Sequence, residues 1–139
     1  MKHLNFLFLL ILALLSCTGV SAQKKYAVYD YSFSSWHQYT CMADRDQGYY
    51  KGNCKVRYFE KDHMFSLDYD NSIFYFYAKK KREIRNGIEY LCENDNEKAT
   101  VSITKTKNGY NIELYITLKR GLESTTIELK NGKMTKHFW

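Results

Sequence analysis

The sequence predicts an all-β domain: an antiparallel up-and-down meander of about eight or nine strands with one short helical turn. Three observations carry this. Asn-Gly steps recur at nearly equal spacing, at Asn86-Gly87, Asn108-Gly109 and Asn131-Gly132. Asn-Gly supplies the positive φ angles of a tight type I′ hairpin turn. The segments between these steps alternate apolar and polar residues with a period of two, as strands covered on one face do. Only one short stretch has helical spacing. Consecutive hairpins imply a small barrel or a strongly curved sheet, with a two-sheet sandwich as the alternative.

The chain opens with the layout of an export leader. Lys2 precedes an apolar run from Leu4 to Leu15, interrupted by Asn5, which is shorter than the ~20 residues a membrane-spanning helix needs. Val20-Ser21-Ala22 fits the small-x-small pattern of a signal-peptidase site. The competing Leu14-Leu15-Ser16-Cys17 resembles a lipobox, with bulky Leu15 where a smaller residue is usual. The expected outcome is cleavage after Ala22, so that residues 1–22 are a signal peptide and 23–139 one β domain in the periplasm or outside the cell. Lipidation at Cys17, giving an outer-membrane lipoprotein, is the alternative and the only route to a membrane.

The first strand is "KYAVYDYSF", from Lys25 to Phe33. After it, Ser35 and Gln38 have capping-box spacing, and Trp36, Tyr39 and Ala43 fall at helical intervals. This is the expected helical turn. The stretch "CMADRDQGYYKGNC" then reads as a loop, and a Cys41–Cys54 disulfide across it is worth ~3 kcal/mol in the chain-entropy model. Cys92 stays a buried, inert thiol. Further strands are "VRYFE", "MFSLDY" and "SIFYFYA". Ile73 to Ala78 is apolar on both faces, which marks a strand covered on both sides or facing a cavity.

A two-residue turn at Asn108-Gly109 pairs Ile103 with Leu114, Val101 with Ile116 and Ala99 with Leu118, all on one face. A tight turn at Asn86-Gly87 puts Ile88, Tyr90 and Cys92 beside Arg85, Glu83 and Lys81. That conflict predicts a bulge or longer loop that re-aims the basic stretch. At Asn131-Gly132 a turn sets Leu129 against Met134 but Ile127 against Lys136. Polar turns at 93–98 and 119–124 close the opposite end.

Chemistry-bearing motifs are scarce. Gly-x-Ser-x-Gly, His-Glu-x-x-His and the P-loop are absent, and no histidine has metal-ligand spacing from another His or a Cys. Asp44 to Gly48 begins like a calcium loop, but Lys55 stands where the twelfth-position Glu belongs. Asp68, Asp70 and Asn71 are ordinary turn residues. Neither a metal nor a cofactor is expected. The net charge of +6 is too modest to suggest nucleic acid for an exported chain.

Two features suit binding. Lys79, Lys80, Lys81 and Arg82 form a basic patch that attracts acidic partners. Trp36, Tyr49 and Tyr50 are aromatics expected in loop or helix positions, where contacts concentrate. The leading expectation is therefore a non-enzymatic binding domain of the bacterial envelope that engages a protein partner, as inhibitor or immunity-type proteins do. The alternatives are a barrel carrying a small apolar ligand, and a small secreted hydrolase. The hydrolase reading requires His37, His63 or His137 to meet a carboxylate or hydroxyl.

Overall fold

The computed structural model describes residues 25–40 and 45–138, with the backbone alone at 45–47. The leader, with Cys17 and Ala22, and Cys41 lie outside the described residues. Eight strands follow one another: β1 (Ala27–Thr40), β2 (Arg45–Phe59), β3 (Met64–Tyr69), β4 (Ser72–Ile84), β5 (Gly87–Glu93), β6 (Glu97–Thr106), β7 (Gly109–Leu118) and β8 (Ser124–Phe138). Each pairs antiparallel with the next, and β8 returns to β1, so the sheet is a closed barrel. Closure decides against the sandwich.

The interior is solid through the middle. Val56, Phe76 and Val101 are completely buried, and Phe65, Leu67 and Leu114 nearly so. Eight strands enclose a space that side chains just fill, and each large apolar group buried there contributes roughly 1.5–3 kcal/mol. The outer wall is different: Arg57 Nε donates to Asp30 Oδ2 at 3.1 Å across β1 and β2, and Glu113 is exposed on β7. Charged residues outside and apolar ones inside reverse the alternation of a lipid-facing barrel.

The expected helical turn is not formed among the described residues. Ser35 to Thr40 continue β1, paired with β2 on one side and, from His37, with β8 on the other. Trp36 and Tyr39 suited a helix by spacing, but the long-range ladders of two neighbouring strands outweigh a single local cap. The bridge expected for Cys54 has its partner outside the described residues. Cys54 itself is a fully buried free thiol facing the core, as is Cys92 apart from a trace of exposure.

The turns are displaced from the Asn-Gly steps. At the β6–β7 turn Thr106 stands opposite Gly109, so Lys107 and Asn108 form the tip. Val101 therefore pairs with Leu114, Ala99 with Ile116 and Ile103 with Ile112, two residues from the expected register. A shift of two keeps every side chain on its face, so the core is the one expected. At β4–β5 the loop is tight, with Ile84 opposite Gly87, and the expected bulge lies further along, between Ala78 and Lys80. Asn131-Gly132 is no turn at all. It sits inside β8, at a bulge between the Ile112–Leu129 and Tyr110–Gly132 pairs. The backbone that type I′ geometry requires occurs instead at Asp70 (φ 50) and Asn71 (φ 59), between the paired Tyr69 and Ser72.

Candidate binding surfaces

Of the residues expected to bind, Trp36 and Tyr50 are brought together, whereas Tyr49 and the basic residues stand apart from them. Trp36 is inside, its ring stacked on Tyr50 (centroids 5.5 Å apart, interplanar 18°) and edge-on to Tyr69 at 5.5 Å. It packs over the upper end of the core, the end that carries the Asp70-Asn71 turn. Its indole Nε1 is buried without a hydrogen-bond partner. Tyr49 is 77% exposed and lies flat over His37 at 4.4 Å. Lys79 to Arg82 stand on the other half of β4, the half leading to the Asn86 turn.

The bulge after Ala78 divides those four basic residues between two faces. Lys80 and Arg82 point outward, opposite Leu91 and Glu89. Lys81 pairs with the buried Tyr90, and paired residues share a face, so Lys81 stands on the inner wall. Arg82 is tied to Glu89 at 2.7 Å and Lys79 lies 3.9 Å from Glu93.

Two surfaces emerge that the sequence did not mark. The first is the outer face of β4. Ile73, Tyr75 and Tyr77 alternate with the inward Phe74, Phe76 and Ala78, and they are 56%, 48% and 49% exposed. Only the inner face of this doubly apolar strand is covered, contrary to one of the two expectations for it. Leu91 and Tyr115 continue exposed apolar surface onto β5 and β7, and Lys79, Lys80 and Lys98 border the groove between them.

The second surface is the lower mouth of the barrel, a half-open pocket of about 480 Å³. Tyr29, Tyr31, Tyr58 and Tyr90 line it with Ile88 and Ile103. Tyr58 and Tyr90 rest against each other at 5.1 Å and on Phe65 at 4.6 and 4.9 Å, which floors the pocket. Burial, with the neighbouring phenols, pushes Tyr90 up to about 12 and raises Tyr31 further, so both hydroxyls keep their protons. The signal for this cup was present but dispersed. At mid-barrel the inward positions are largely aliphatic, whereas the inward positions nearest the lower rim are tyrosine in β1, β2 and β7, with Tyr90 one inward position above Ile88 in β5.

The histidines each meet a polar partner, as the hydrolase reading requires. His37 Nδ1 lies 3.5 Å from Glu128 Oε2, Tyr58 Oη and His63 Nδ1 are 3.4 Å apart, and Thr135 Oγ1 and His137 Nε2 are 3.3 Å apart. These pairs occupy three separate places. The one with a nucleophile-type hydroxyl, Thr135–His137, is exposed on β8, and no carboxylate bonds its histidine among the described residues. Triad chemistry needs a third, orienting group. Burial lifts the Cys54 and Cys92 thiols to about 12, which leaves almost no thiolate at neutral pH. Among the described residues no group of three His, Cys, Asp or Glu side chains is placed to hold a metal ion.

No family model matches the chain, and no curated protein or solved structure matches it either.

Proposed function

We propose that the chain is an exported binding domain of the bacterial envelope that docks a protein partner on the outer face of β4. The observation that carries this reading is the row Ile73, Tyr75 and Tyr77, about half exposed on the rigid wall of a closed barrel. Contiguous exposed apolar surface marks interaction sites, and tyrosine is favoured at their centres. The border selects an acidic partner. Lys79, Lys80, Arg82, Lys98 and Lys119 lie on the lower and β5–β7 side of this region against Glu89 and Glu93, with Asp68 opposite Ile73, so cations outnumber carboxylates. Tyr49, exposed on β2, belongs to a separate part of the wall and is not needed for this contact.

The interior gives the carrier reading no enclosed chamber, because aliphatic and aromatic side chains fill the middle of the barrel. On the inner side of the barrel, room for a small ligand lies at the lower mouth.

The test is a reconstituted complex. The full chain, tagged and expressed in its own host, is recovered with the protein it holds, which is then purified separately and titrated back by calorimetry. A one-to-one complex with an acidic-surfaced protein is expected, with Kd raised at least tenfold by Tyr75→Ala and by Tyr77→Ala, in the manner of interface hot spots. Unchanged affinity in both variants, a partner without an acidic surface, or no complex overturns the reading.

A further inference from the structure

The lower mouth stands apart from the outer face of β4 and makes a separate demand on chemistry. Its phenols are turned inward, yet among the described residues no protein group hydrogen-bonds the hydroxyls of Tyr29, Tyr31 or Tyr90. The Tyr58 hydroxyl has only the 3.4 Å contact with His63. The hydroxyls of Tyr29, Tyr31 and Tyr90 are not sealed off, since the buried polar atoms left without partners among the described residues lie elsewhere, on Asp30 and Trp36. Inward hydroxyls at the rim of an apolar core are costly unless an acceptor reaches them. Water reaches these rim hydroxyls, and a ligand that displaces it must bring acceptors in its place.

The charge around the pocket is predominantly positive, although Glu83, opposite Ile88 and on the same strand face as Lys81, adds a carboxylate at the rim. Glu60, the carboxylate in its lining, is engaged by the Ala27 N–H at 2.9 Å. Lys79 faces Glu93. Among the described residues no carboxylate pairs with Lys80 or Lys81. Lys136 sits over the Tyr29 ring at 5.2 Å and adds a further cation beside the mouth. Lys81 is the most telling, because the β4 bulge seats an ammonium group on the inner wall directly opposite Tyr90.

Shape supplies the remaining constraint. Tyr29 and Tyr58 are nearly parallel, with centroids 6.3 Å apart and an interplanar angle of 28°. Ile88 and Ile103 add flat aliphatic wall, and the Phe65–Tyr90 contact closes the floor. At about 480 Å³ the pocket lies within the ~300–1,000 Å³ typical of small-molecule sites.

We infer that the tyrosine-lined mouth binds a small planar aromatic carboxylate, its ring against Tyr31, Tyr58 and Tyr90 and its anionic head toward Lys81. The phenols donate to the carboxylate or to water bridging to it. The retained protons of Tyr31 and Tyr90 keep them donors throughout the ordinary pH range. The site is independent of the protein-docking face and stands or falls separately.

Cinnamate and its uncharged isostere cinnamamide test the inference on the full chain, by NMR titration with amide shifts mapped to residues. Cinnamate is expected to bind with Kd about 1 mM or tighter, the scale set by a ligand of its size. Its shifts should be confined to the β1, β2, β4, β5 and β6 ends of the mouth, and cinnamamide should bind at least tenfold more weakly. Lys81→Gln, at an exposed position that folding does not need, is expected to abolish the preference for the anion. Tyr90→Phe should weaken cinnamate at least threefold, and Tyr75→Ala on the outer face should change nothing. Equal binding of the two probes, an anion preference that survives Lys81→Gln, shifts elsewhere on the barrel, or no binding of cinnamate at 10-fold above that Kd overturns it.

Discussion

Gly132→Ala tests the reading of β8 most directly, because a turn and a bulge make different demands on the same glycine. In a type I′ turn at Asn131-Gly132 both residues need positive φ. In the barrel only Asn131 has it, at φ 59, and Gly132 has a backbone that alanine tolerates. What Gly132 supplies is space. A Cβ there would stand 2.5 Å from Phe33 Cζ and 2.8 Å from Cδ1, and nearer still to Cε1, where ordinary contact begins at 3.4 Å. The ring would have to retreat by about 1 Å in an interior packed to crystal-like density.

Phe33 cannot make that retreat cheaply. It is 5% exposed and belongs to the central cluster. Overpacking of this kind costs about 1–3 kcal/mol, and the closeness to several ring atoms places Gly132→Ala near 3 kcal/mol. For a domain of this size the melting temperature falls by roughly 10 °C. The assay is thermal and urea unfolding of four proteins: the parent, Gly132→Ala, Phe33→Leu and the double variant. With the ring gone, the added methyl should cost less than about 1 kcal/mol, a coupling of at least about 1.5 kcal/mol between contacting sites. An identical cost with the Phe33 ring present and with it replaced would show that the backbone, not the ring, requires glycine, and the bulge account would fail.

Two further outcomes follow from buried groups. Cys54 and Cys92 are raised from 9.0 to about 12 and Tyr90 from 10.0 to about 12, so the folded protein holds protons that the unfolded chain loses first. Stability should be level below about pH 9 and fall above it, by about 1.4 kcal/mol per pH unit for each group in its window, up to pH 12. Urea midpoints from pH 7 to 11 check this, and a flat or rising curve above pH 9 contradicts it. Trp36→Phe removes an indole N–H that has no partner, and relief of that burial cost of ~1–3 kcal/mol offsets the lost ring area. Its net effect should stay within about 1 kcal/mol, compared with about 2–5 for Leu114→Ala. A loss above about 3 kcal/mol in thermal unfolding would show that the N–H or the larger ring matters more than its surroundings indicate.

Much of the barrel was legible because alternation survives small errors of register. The β6–β7 hairpin illustrates this: the turn tip is one residue earlier than the Asn-Gly step suggests, yet the displacement of pairs is even, so Val101, Ile103, Ile112 and Leu114 stay inside. Asn131-Gly132 misled for the opposite reason. The dipeptide reports a positive φ at asparagine, which a bulge uses as readily as a turn. Only the ladders with the neighbouring β7 and with β1, remote in sequence, decide between them. The helical spacing around Trp36 failed in the same way, since the partners that make it a strand are Tyr50 and its neighbours on β2. The tyrosine cup was hidden for a geometric reason. Tyr29 and Tyr58 meet through the β1–β2 ladder, whose register is not written in either strand alone, and Tyr90 on β5 joins them only because closure brings these strand ends to one rim.

Strand β4 shows why both candidate surfaces arise where they do. Its first half, Ile73 to Ala78, is apolar on both faces, and its next residues, Lys79 to Glu83, are charged on both. A closed barrel has one dry face and one wet face, so neither half can satisfy the pattern its position requires. The apolar half leaves Ile73, Tyr75 and Tyr77 in water, and the charged half puts Lys81 against the inner wall. A sequence that served folding alone would alternate through both halves, as β6 does with Ala99, Val101 and Ile103 inside and Thr100 and Ser102 outside. Departures from local consistency concentrate where function makes a competing demand. On β4 the two departures point in opposite directions, aromatic surface outward and a cation inward, and that is why we propose two different occupants for the two faces of one strand.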